Sequence, residues 1–479
     1  MDIYPKQISK EDMFPPMPLG ILYLASVAEE EGHKVIVKNS HYSNFKKIIR
    51  KIKPDILGIT CITAQYNQAQ RIAQIAKKTN KNITTIIGGC FPSARWASIL
   101  DETSDFDYIF VGEAELTFKE FLKKFNNKKE LEKVKGLAFK KNNKIKFTGP
   151  RLLIKDLDTI PFPARHLSEI PMPILITSRG CSNNCKFCTI KSFYSRSYRR
   201  RSLESVLKEI LLLRKAGFNK INLRDDNFFI NKNYVVEFCK LIEKQGFKDM
   251  EFVMEGDINF LIDKENLELL KKINVRVLRV GIQSTSSKSM RYLGVNFDYD
   301  LIKRFFRVIK EYNFTVNCFF IMNSGESKEN MKIIKKNAQR FCNLLVQHKD
   351  GSAKFIPQIL ILDPYPGTDI EKDFIRRGIK IEHEWSLFRC YYCNYEYNDI
   401  NKKRLESLHE KTIAKLNHNK KHKRLLIKIK EILYLSYSIL KSDMSFKIRL
   451  EIILTYLVLE LIMNKSNYEI TRFIYKKYF

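Results

Sequence analysis

The stretch that decides the interpretation of this sequence is SRGCSNNCKFC, which spans residues 178–188. It contains Cys181, Cys185 and Cys188, spaced four and three positions apart. Three thiolates in one short segment can bind three irons of a cubane [4Fe-4S] cluster, whereas iron-sulfur electron carriers normally supply four cysteines. One iron would then stay open for an amino and a carboxylate group to chelate. We therefore expect an iron-sulfur site that also binds a small molecule.

A zinc site is the main alternative for these three cysteines. Structural zinc sites usually have four ligands in two separated pairs, and no second pair lies at a suitable distance in this part of the sequence. Cys390 and Cys393 form the other close pair, and we interpret them as structural residues. The spacing therefore favours an iron-sulfur cluster over zinc.

Six apolar strand candidates surround the cysteine motif, and helix-length segments separate them. They are residues 174–177, 220–223, 252–255, 275–280, 315–322 and 355–362. Repeated strand and helix units of this kind are typical of a partial (β/α)6 barrel, in which chemistry takes place at the C-terminal ends of the strands. The cysteine motif directly follows the first candidate, so this end of the barrel is the predicted site.

The chain ahead of the barrel has a similar alternation. Helices are predicted for residues 19–31 and 66–78, and strands for residues 34–37, 55–60, 84–87 and 107–111. Short, continuously apolar strands separated by helices indicate a parallel sheet that is covered on both faces. We therefore expect a Rossmann-like domain of the α/β class.

A proline-rich segment at residues 160–173 interrupts the alternation and marks a boundary. We divide the chain into a Rossmann-like domain (1–150), a partial barrel (151–375) and a helical C-terminal region (376–479). Residues 1–14 are polar and irregular, so the first strand of the Rossmann-like domain is expected to be missing.

The formal net charge of this 479-residue chain is +32. Such a charge is typical of proteins that bind nucleic acid or an anionic membrane. However, the lysine-rich and asparagine-rich stretches throughout the chain are also typical of proteins encoded by AT-rich DNA, which would explain the charge without such a partner. Apolar stretches at residues 425–440 and 448–463 contain several charged residues and do not resemble membrane spans. We expect no nucleic-acid partner and retain peripheral membrane contact as an alternative.

Two observations concern the compartment. The ten cysteines are few for a disulfide framework in a chain of this length, and the N-terminus lacks a basic segment followed by an apolar core. We expect a cytoplasmic protein with reduced thiols.

The cysteine motif resembles the signature of the radical S-adenosylmethionine (SAM) superfamily, and the similarity extends from about residue 15 to residue 370. The resemblance implies that a reduced cluster passes an electron to SAM and that methionine and a 5′-deoxyadenosyl radical are released. Such a radical removes hydrogen from unactivated carbon.

The resemblance also implies SAM-binding residues at the ends of the following strands. These are Asp225 and Asp226 after the second strand, Glu255 at the end of the third, and Gln283 and Ser284 in a Gly-Ile-Gln-Ser turn. Glutamine replaces the usual glutamate of that turn, and it can form hydrogen bonds but carries no charge. The two aspartates have a second interpretation as a solvated turn before a helix N-terminus, where acidic residues are favoured.

The first domain resembles the cobalamin-binding domain found in one class of radical SAM proteins. The similarity lies in residues 18–26, 54–60, 87–89 and 111–115. Thr60, Gly88 and Gly89 are the expected contacts of cobalamin, because glycines at strand ends let a bulky ligand approach the backbone. The Asp-x-His-x-x-Gly motif that supplies a cobalt ligand elsewhere is absent, and His41 is expected in a loop.

These resemblances predict a cobalamin-dependent radical SAM enzyme that methylates an unactivated carbon of a small molecule, with a lipid-like substrate as one option. An electron donor such as a flavodoxin or ferredoxin is the expected protein partner. Cobalamin-dependent cyclisation or rearrangement without methyl transfer and a non-catalytic iron-sulfur or cobalamin-binding regulator are the alternatives. A methylthiotransferase is disfavoured, because that class has three further N-terminal cysteines and only Cys61 and Cys90 precede the linker.

Overall fold

The computed structural model describes residues 18–38, 42–167, 172–323, 331–396 and 402–416. Two α/β units follow each other in these residues, and each is built on its own sheet, as the predicted fold class requires. The first unit contains α1 (Leu19–Glu30), α2 (Tyr42–Ile52), β1 (Ile56–Thr60), α3 (Tyr66–Thr79), β2 (Thr84–Gly88), α4 (Cys90–Glu102), β3 (Tyr108–Phe110), α5 (Glu115–Lys124), α6 (Lys128–Leu131), β4 (Leu137–Lys141) and β5 (Lys144–Phe147).

The first sheet has the strand order β1-β2-β3-β4-β5. Strands β1 to β3 pair in parallel, whereas β3, β4 and β5 pair antiparallel. The predicted parallel sheet therefore corresponds to β1, β2 and β3, whereas the two antiparallel strands β4 and β5 were not predicted. They form a hairpin in which Asn142 and Asn143 have φ of +50° and +57°, as two-residue hairpin turns require.

The predicted strand at residues 34–37 was also wrong, because these residues pair with no strand of the described chain. Val37 is buried against Leu22 and Ala25 of α1 and against Ala164. The apolar residues that suggested a strand therefore pack on a helix outside the sheet.

The second unit begins after the proline-rich segment. It contains β6 (Ile174–Leu175), β7 (Ser178–Arg179), α7 (Thr189–Tyr194), β8 (Arg199–Arg200), α8 (Leu203–Lys215), β9 (Lys220–Leu223), α9 (Lys232–Lys244), β10 (Glu251–Gly256), α10 (Lys264–Lys272), β11 (Val275–Gln283), α11 (Ser287–Leu293), α12 (Tyr299–Ile309), β12 (Thr315–Ile321), α13 (Met331–Gln347), β13 (Lys354–Leu360) and α14 (Asp369–Arg376).

Six of these strands form one parallel sheet in the order β13-β12-β11-β10-β9-β6. The prediction of a partial barrel with six strands is confirmed. The main hydrophobic core fills the space between this sheet and its helices, with residues such as Phe238, Phe252, Phe306 and Phe320 essentially inaccessible to solvent. All six strands end on the same side, which fixes where the site can lie.

Strands β7 and β8 form a separate antiparallel pair, in which Ser178 opposes Arg200 and Arg179 opposes Arg199. The chain between them, residues 180–198, contains the three motif cysteines and α7. We call residues 180–198 the cysteine loop and the pair Arg179 and Arg199 its neck.

The C-terminal region departs from the prediction that it is helical. Within residues 376–396, strands β14 (Lys380–Ile381) and β15 (Tyr395–Glu396) pair antiparallel, whereas α15 (Lys402–Leu416) is helical as expected. The apolar stretches at 425–440 and 448–463 lie outside the described residues, as does His41. The described residues contain no helix with the length and apolar character needed to cross a membrane. The two boundaries between the three predicted domains stay a prediction.

Candidate active site

The cysteine loop lies at the C-terminal end of the barrel, and backbone hydrogen bonds tie it to the neighbouring elements. Its Gly180 N–H donates to Asp226 Oδ2 at 2.7 Å. Farther along the loop, the Lys186 N–H donates to the Leu293 carbonyl at 2.8 Å, and the Lys186 carbonyl accepts from the Ile370 N–H at 3.1 Å. These bonds hold the segment that carries the cysteines at both of its ends.

Gly180 is required at the start of the loop for two reasons. Its φ of +84° lies in the left-handed region, and a Cβ atom there would come within 1.9 Å of the Ser197 carbonyl oxygen. Residue 197 is close to the other end of the loop, so the first and last residues of the loop are in contact at Gly180. A larger residue would force them apart.

Cys181, Cys185 and Cys188 are half-buried on this loop and form no disulfides. Burial first, and the neighbouring Cys188 and Cys181 thiols second, raise the pKa of Cys185 to about 12. Burial is also the main cause that raises the pKa of Cys181 to about 11. Thiolates in such surroundings need a nearby cation, and the irons of a cluster supply that charge. The donor set therefore fits a cluster held by three soft thiolates.

Among the residues that the structure describes, no three His, Cys, Asp or Glu side chains converge closely enough to hold a single metal ion. A cubane presents a different iron to each thiolate, so its ligands do not need to meet at one point. The separation of the three thiols is compatible with a cluster of this kind.

The two adjacent aspartates after β9 occupy different environments. Asp225 is 2% exposed, and its Oδ1 atom accepts hydrogen bonds at 2.5–3.0 Å from the backbone N–H and hydroxyl groups of Thr177 and Ser178. Asp226 stays exposed and binds the Gly180 N–H. The Oδ1 atom of Asp225 faces the start of β7, because the backbone and hydroxyl groups there supply its donors, and the expected contact of Asp225 with SAM stays a prediction. Both residues thus anchor the chain that leads into the cysteine loop.

The end of β10 carries two acidic residues with different partners. Glu255 is half-buried and pairs with Arg224 at 3.1 Å. Asp257 Oδ2 accepts from Asn227 Nδ2 at 2.8 Å and from Asn183 Nδ2 at 3.1 Å. Since Asn183 belongs to the cysteine loop, Asp257 fixes the loop to the end of β10.

The turn after β11 contains Gln283 and Ser284. Gln283 has φ of +58°, and the register of β11 against β12 shifts between Gly281 and Gln283. Its amide occupies the space where a side chain on residue 281 would lie. Ser284 is 1% exposed, and its hydroxyl accepts from the Ser286 N–H at 3.2 Å. The backbone strain is located at Gln283, as is common at ligand-binding positions, whereas Ser284 stabilises the turn.

The inner face of the barrel carries a row of polar side chains, of which sequence reasoning identified only Glu255. Glu255, Arg279 and Asn317 are register neighbours on β10, β11 and β12. Arg279 Nη1 also donates to Asn222 Oδ1 on β9 at 2.8 Å. The alternate residues of these strands, such as Leu278 and Val280, pack into the core. A polar lumen therefore lies below the site, and the charged residues in otherwise apolar strands were its signal.

The residues expected to contact cobalamin lie together at the C-terminal edge of the first sheet. Thr60 ends β1, Gly88 ends β2, and the Cys61 N–H donates to the Gly88 carbonyl at 3.0 Å. Gly89 has φ of +121°, and a Cβ atom there would come within 2.4 Å of the Cys61 carbonyl oxygen. The structure brings Thr60, Gly88 and Gly89 to one edge, which is where open α/β sheets bind ligands.

This edge meets the cysteine loop. Cys90 follows the two glycines directly, and burial first, then the Asp226 carboxylate and the Cys188 thiol, raise its pKa to about 11. Helix α4, which begins at Cys90, packs against α7 of the cysteine loop. The expected cofactor edge of the first unit and the expected cluster loop of the second unit therefore face each other.

Sequence reasoning also missed a group of buried charges between the two units. Glu113 and Glu115 follow β3, and they pair with Arg179 and Arg199 of the neck. The Val-Gly-Glu-Ala-Glu segment was recognised as part of the first domain, but nothing in its spacing indicated partners more than sixty positions away.

Comparisons with known proteins agree with this architecture. Residues 14–122 match the model of the B12 binding domain, and residues 175–336 match the model of the radical SAM superfamily. An uncharacterized methyltransferase of Pyrococcus horikoshii is 28% identical over 385 residues, which cover 78% of this chain and 81% of that protein. Cytidylyl-2-hydroxyethylphosphonate methyltransferase of Streptomyces wedmorensis is 24% identical over 445 residues, covering 78% and 80%.

A solved structure shows the same fold. The cobalamin-dependent SAM radical enzyme OxsB, with aqua-cobalamin and SAM bound, superposes with a TM-score of 0.66 at 17% identity, over 96% of this chain and 73% of that one. The two family matches occur in the order of the two sheets, with the cysteine loop inside the second match. This chain therefore belongs to the cobalamin-binding class of the radical SAM superfamily, whose cofactors are SAM, a [4Fe-4S] cluster and cobalamin.

Proposed function

We propose that this enzyme methylates an unactivated carbon of a small molecule in a cobalamin-dependent radical SAM reaction. One observation carries the proposal, namely the contact between the two expected cofactor sites. Helix α4, which begins at Cys90 directly after Gly88 and Gly89, packs against α7 of the cysteine loop. A cobalamin and a cluster bound at these two positions would therefore face each other across the boundary between the two units.

In this proposal, Cys181, Cys185 and Cys188 hold the cluster, and Asp226 and Asp257 fix the loop on which they lie. Glu255 and Gln283 line the SAM site, and Thr60, Gly88 and Gly89 form the cobalamin edge. When bound, the cluster supplies the electron that cleaves SAM, and cobalamin carries the methyl group that a second SAM provides. The residues of the chain exclude water and orient the reactants.

The partners follow from the same chemistry. The cluster needs one electron from outside, so we propose a small acidic donor such as a flavodoxin or ferredoxin, which would be attracted to a chain with a net charge of +32. The polar row formed by Glu255, Arg279 and Asn317 supports a substrate with at least one polar or charged group. The remainder of the substrate could be lipid-like, and for such a substrate we propose peripheral contact of the enzyme with the membrane.

The test is anaerobic reconstitution of the full chain with iron, sulfide and cobalamin, followed by SAM with a deuterated methyl group and extract of the host. We expect 5′-deoxyadenosine and a deuterium-labelled product. The variant Cys185→Ala should fail to retain iron and to cleave SAM. The matched control is Cys239→Ala, because Cys239 is buried in α9 away from the cysteine loop.

Deoxyadenosine without any labelled product would contradict methyl transfer and favour a cobalamin-dependent cyclisation or rearrangement. Iron and cobalamin uptake without SAM cleavage would favour a regulator. Iron retention by Cys185→Ala equal to that of Cys239→Ala would contradict the assigned cluster ligands.

A further inference from the structure

The neck of the cysteine loop is held from outside the barrel. Arg179 immediately precedes Gly180, and Arg199 opposes it in the β7–β8 pair, so these arginines mark where the loop leaves and returns. Arg179 Nη1 donates to Glu113 Oε1 at 3.0 Å, and Arg199 Nη1 donates to Glu113 Oε2 at 2.8 Å. One carboxylate of the first unit therefore joins the two sides of the neck.

Two further contacts make this arrangement specific. Arg179 Nη2 donates to Glu115 Oε1 at 2.6 Å. The Ile154 N–H donates to Glu113 Oε2 at 2.9 Å, and the Ile154 carbonyl accepts from Arg199 Nη1 at 2.7 Å. The group thus connects the chain after β3, the segment between the units and the cysteine loop.

The four charged side chains are almost completely buried. Their exposed fractions are 3% for Glu113, 9% for Glu115, 7% for Arg179 and 10% for Arg199. Burial on its own would raise the pKa of Glu113, but the hydrogen bond from Arg199 and the charge of Arg179 outweigh it and lower the pKa. Two carboxylates and two guanidinium groups balance each other, so the group is ionised and neutral as a whole.

Burying ion pairs of this kind adds little net stability compared with apolar residues of similar size, because desolvation offsets the attraction. What such pairs fix is geometry, since a guanidinium fork accepts carboxylates only in defined positions. Glu113 follows β3 at the C-terminal edge of the first sheet, where cobalamin is expected. Arg179 of the neck lies one residue before Gly180 and two residues before Cys181.

We infer that Glu113 is a positioning residue that fixes the cysteine loop relative to the cobalamin-binding unit, with Glu115 as its support on the Arg179 side. The inference rests on the proposed function in so far as the loop holds the cluster. Removal of the Glu113 charge leaves the two buried guanidinium groups with Glu115 as their single carboxylate partner in this group, and Glu115 contacts only Arg179. The link from Arg199 to the first sheet is then weakened, and the neck loses its fixed distance to that sheet.

The experiment compares the full-chain variants Glu113→Gln and Glu209→Gln. Glu209 is a matched control, because its side chain is also 3% exposed and also bridges two arginines, Arg165 and Arg201, but these do not belong to the neck. Each reconstituted protein is examined by EPR of the reduced cluster with and without cobalamin, by calorimetry, and by the ratio of S-adenosylhomocysteine to 5′-deoxyadenosine formed from SAM.

For Glu113→Gln we expect iron and cobalamin to be retained, and the EPR spectrum of the cluster to lose its response to cobalamin. The ratio of S-adenosylhomocysteine to 5′-deoxyadenosine should fall about tenfold, since a displacement of about 1 Å between reactants has effects of at least this size. Calorimetry should show the two units unfolding separately. Glu209→Gln should lower the melting temperature in one transition and keep the wild-type EPR response and product ratio.

Equal product ratios and EPR responses in the two variants would overturn the inference. If Glu113→Gln does not fold, Glu115→Gln replaces it, because Glu115 contacts only one side of the neck; it should give the same changes at smaller size, and a wild-type result would overturn the inference. A wild-type chain that binds no cluster would instead contradict the proposed function, and the calorimetric comparison would still test the coupling of the two units.

Discussion

Arg179 and Glu113 form an ion pair at 3.0 Å between the residue that introduces the cysteine loop and the residue that follows β3 of the first sheet. Both side chains are buried. The pair crosses the boundary between two units that match separate families, so the geometry of the cluster site depends on both.

The first prediction concerns Gly89. The change Gly89→Ala should destabilise the protein by about 2 kcal/mol or more and abolish cobalamin binding, because Gly89 has φ of +121° and a Cβ there would meet the Cys61 carbonyl. Cobalamin titration and urea unfolding measure the two effects. The control is Gly20→Ala in α1, where an added Cβ would meet nothing within 4 Å and φ is not positive. Similar behaviour of the two variants would contradict the prediction.

The second prediction concerns the charge on Asp225. Burial raises its pKa to about 6, although bonds from Ser178 and Thr177 oppose the rise. A carboxyl group whose pKa is higher in the folded state binds its proton more tightly there, so it lowers stability as the pH rises from about 4 to 6. The change Asp225→Asn keeps an acceptor oxygen but cannot ionise, so the stability of the variant should not decrease over this pH range.

We therefore expect Asp225→Asn to be more stable than the wild type at pH 7.5, on the order of 3 kcal/mol, and of nearly equal stability near pH 4. Urea unfolding at both pH values measures the difference. A constant difference between the two proteins at all pH values would show that Asp225 does not titrate in this range.

A third prediction concerns the bond between Asn183 and Asp257. Asn183→Asp places a second carboxylate at about the distance of the present 3.1 Å bond, and repulsion should loosen the cysteine loop. Release of iron to a chelator should be about tenfold faster, which corresponds to about 1.4 kcal/mol. Asn184→Asp is the control, since Asn184 is exposed on the same loop. Equally fast iron release from both variants would contradict the prediction, because it would show that any added negative charge on the loop has this effect, whatever its distance from Asp257.

The fourth prediction concerns the contact between α15 and the barrel. His409 Nε2 lies 2.8 Å from the carbonyl of Ile359 on β13, and burial lowers the pKa of His409 to about 4. A histidine with a lowered pKa contributes stability above its ordinary pKa of about 6.5, and this stability is lost as the pH falls towards 4.

At pH 5 the wild type should have lost about 2 kcal/mol relative to His409→Gln, which keeps a donor but does not titrate. The measurement is the difference in unfolding free energy between pH 7.5 and pH 5 for both proteins. Parallel pH profiles would contradict a role for His409.

The barrel and the cluster loop could be predicted because their signals are local. The strand Val275–Gln283 is a continuous apolar run apart from its arginines, and three cysteines in eight positions need no knowledge of the fold. The strand predicted at residues 34–37 was wrong because a short apolar sequence has the same pattern whether it pairs in a sheet or, as here, packs on α1. The hairpin of β4 and β5 was overlooked although Asn142 and Asn143 are typical of its turn.

The roles of individual site residues were harder to predict, because they depend on contacts between distant parts of the chain. Asp225 and Asp226 are adjacent in sequence, yet one is buried against Thr177 and the other is exposed beside Gly180. Glu113 lies in a segment that was recognised, but its pairing had no signal, since it depends on the β7–β8 pair that brings Arg179 and Arg199 together.

The position of α15 has a consequence for self-association. A partial barrel is open, and β13 is the last strand of its sheet among the described residues, with β12 as its single strand neighbour. An open edge of this kind is a template on which strands of other molecules can pair and aggregate. By placing His409 on the Ile359 carbonyl, α15 covers this edge. Truncation before Lys402 is therefore expected to produce a chain that aggregates through β13.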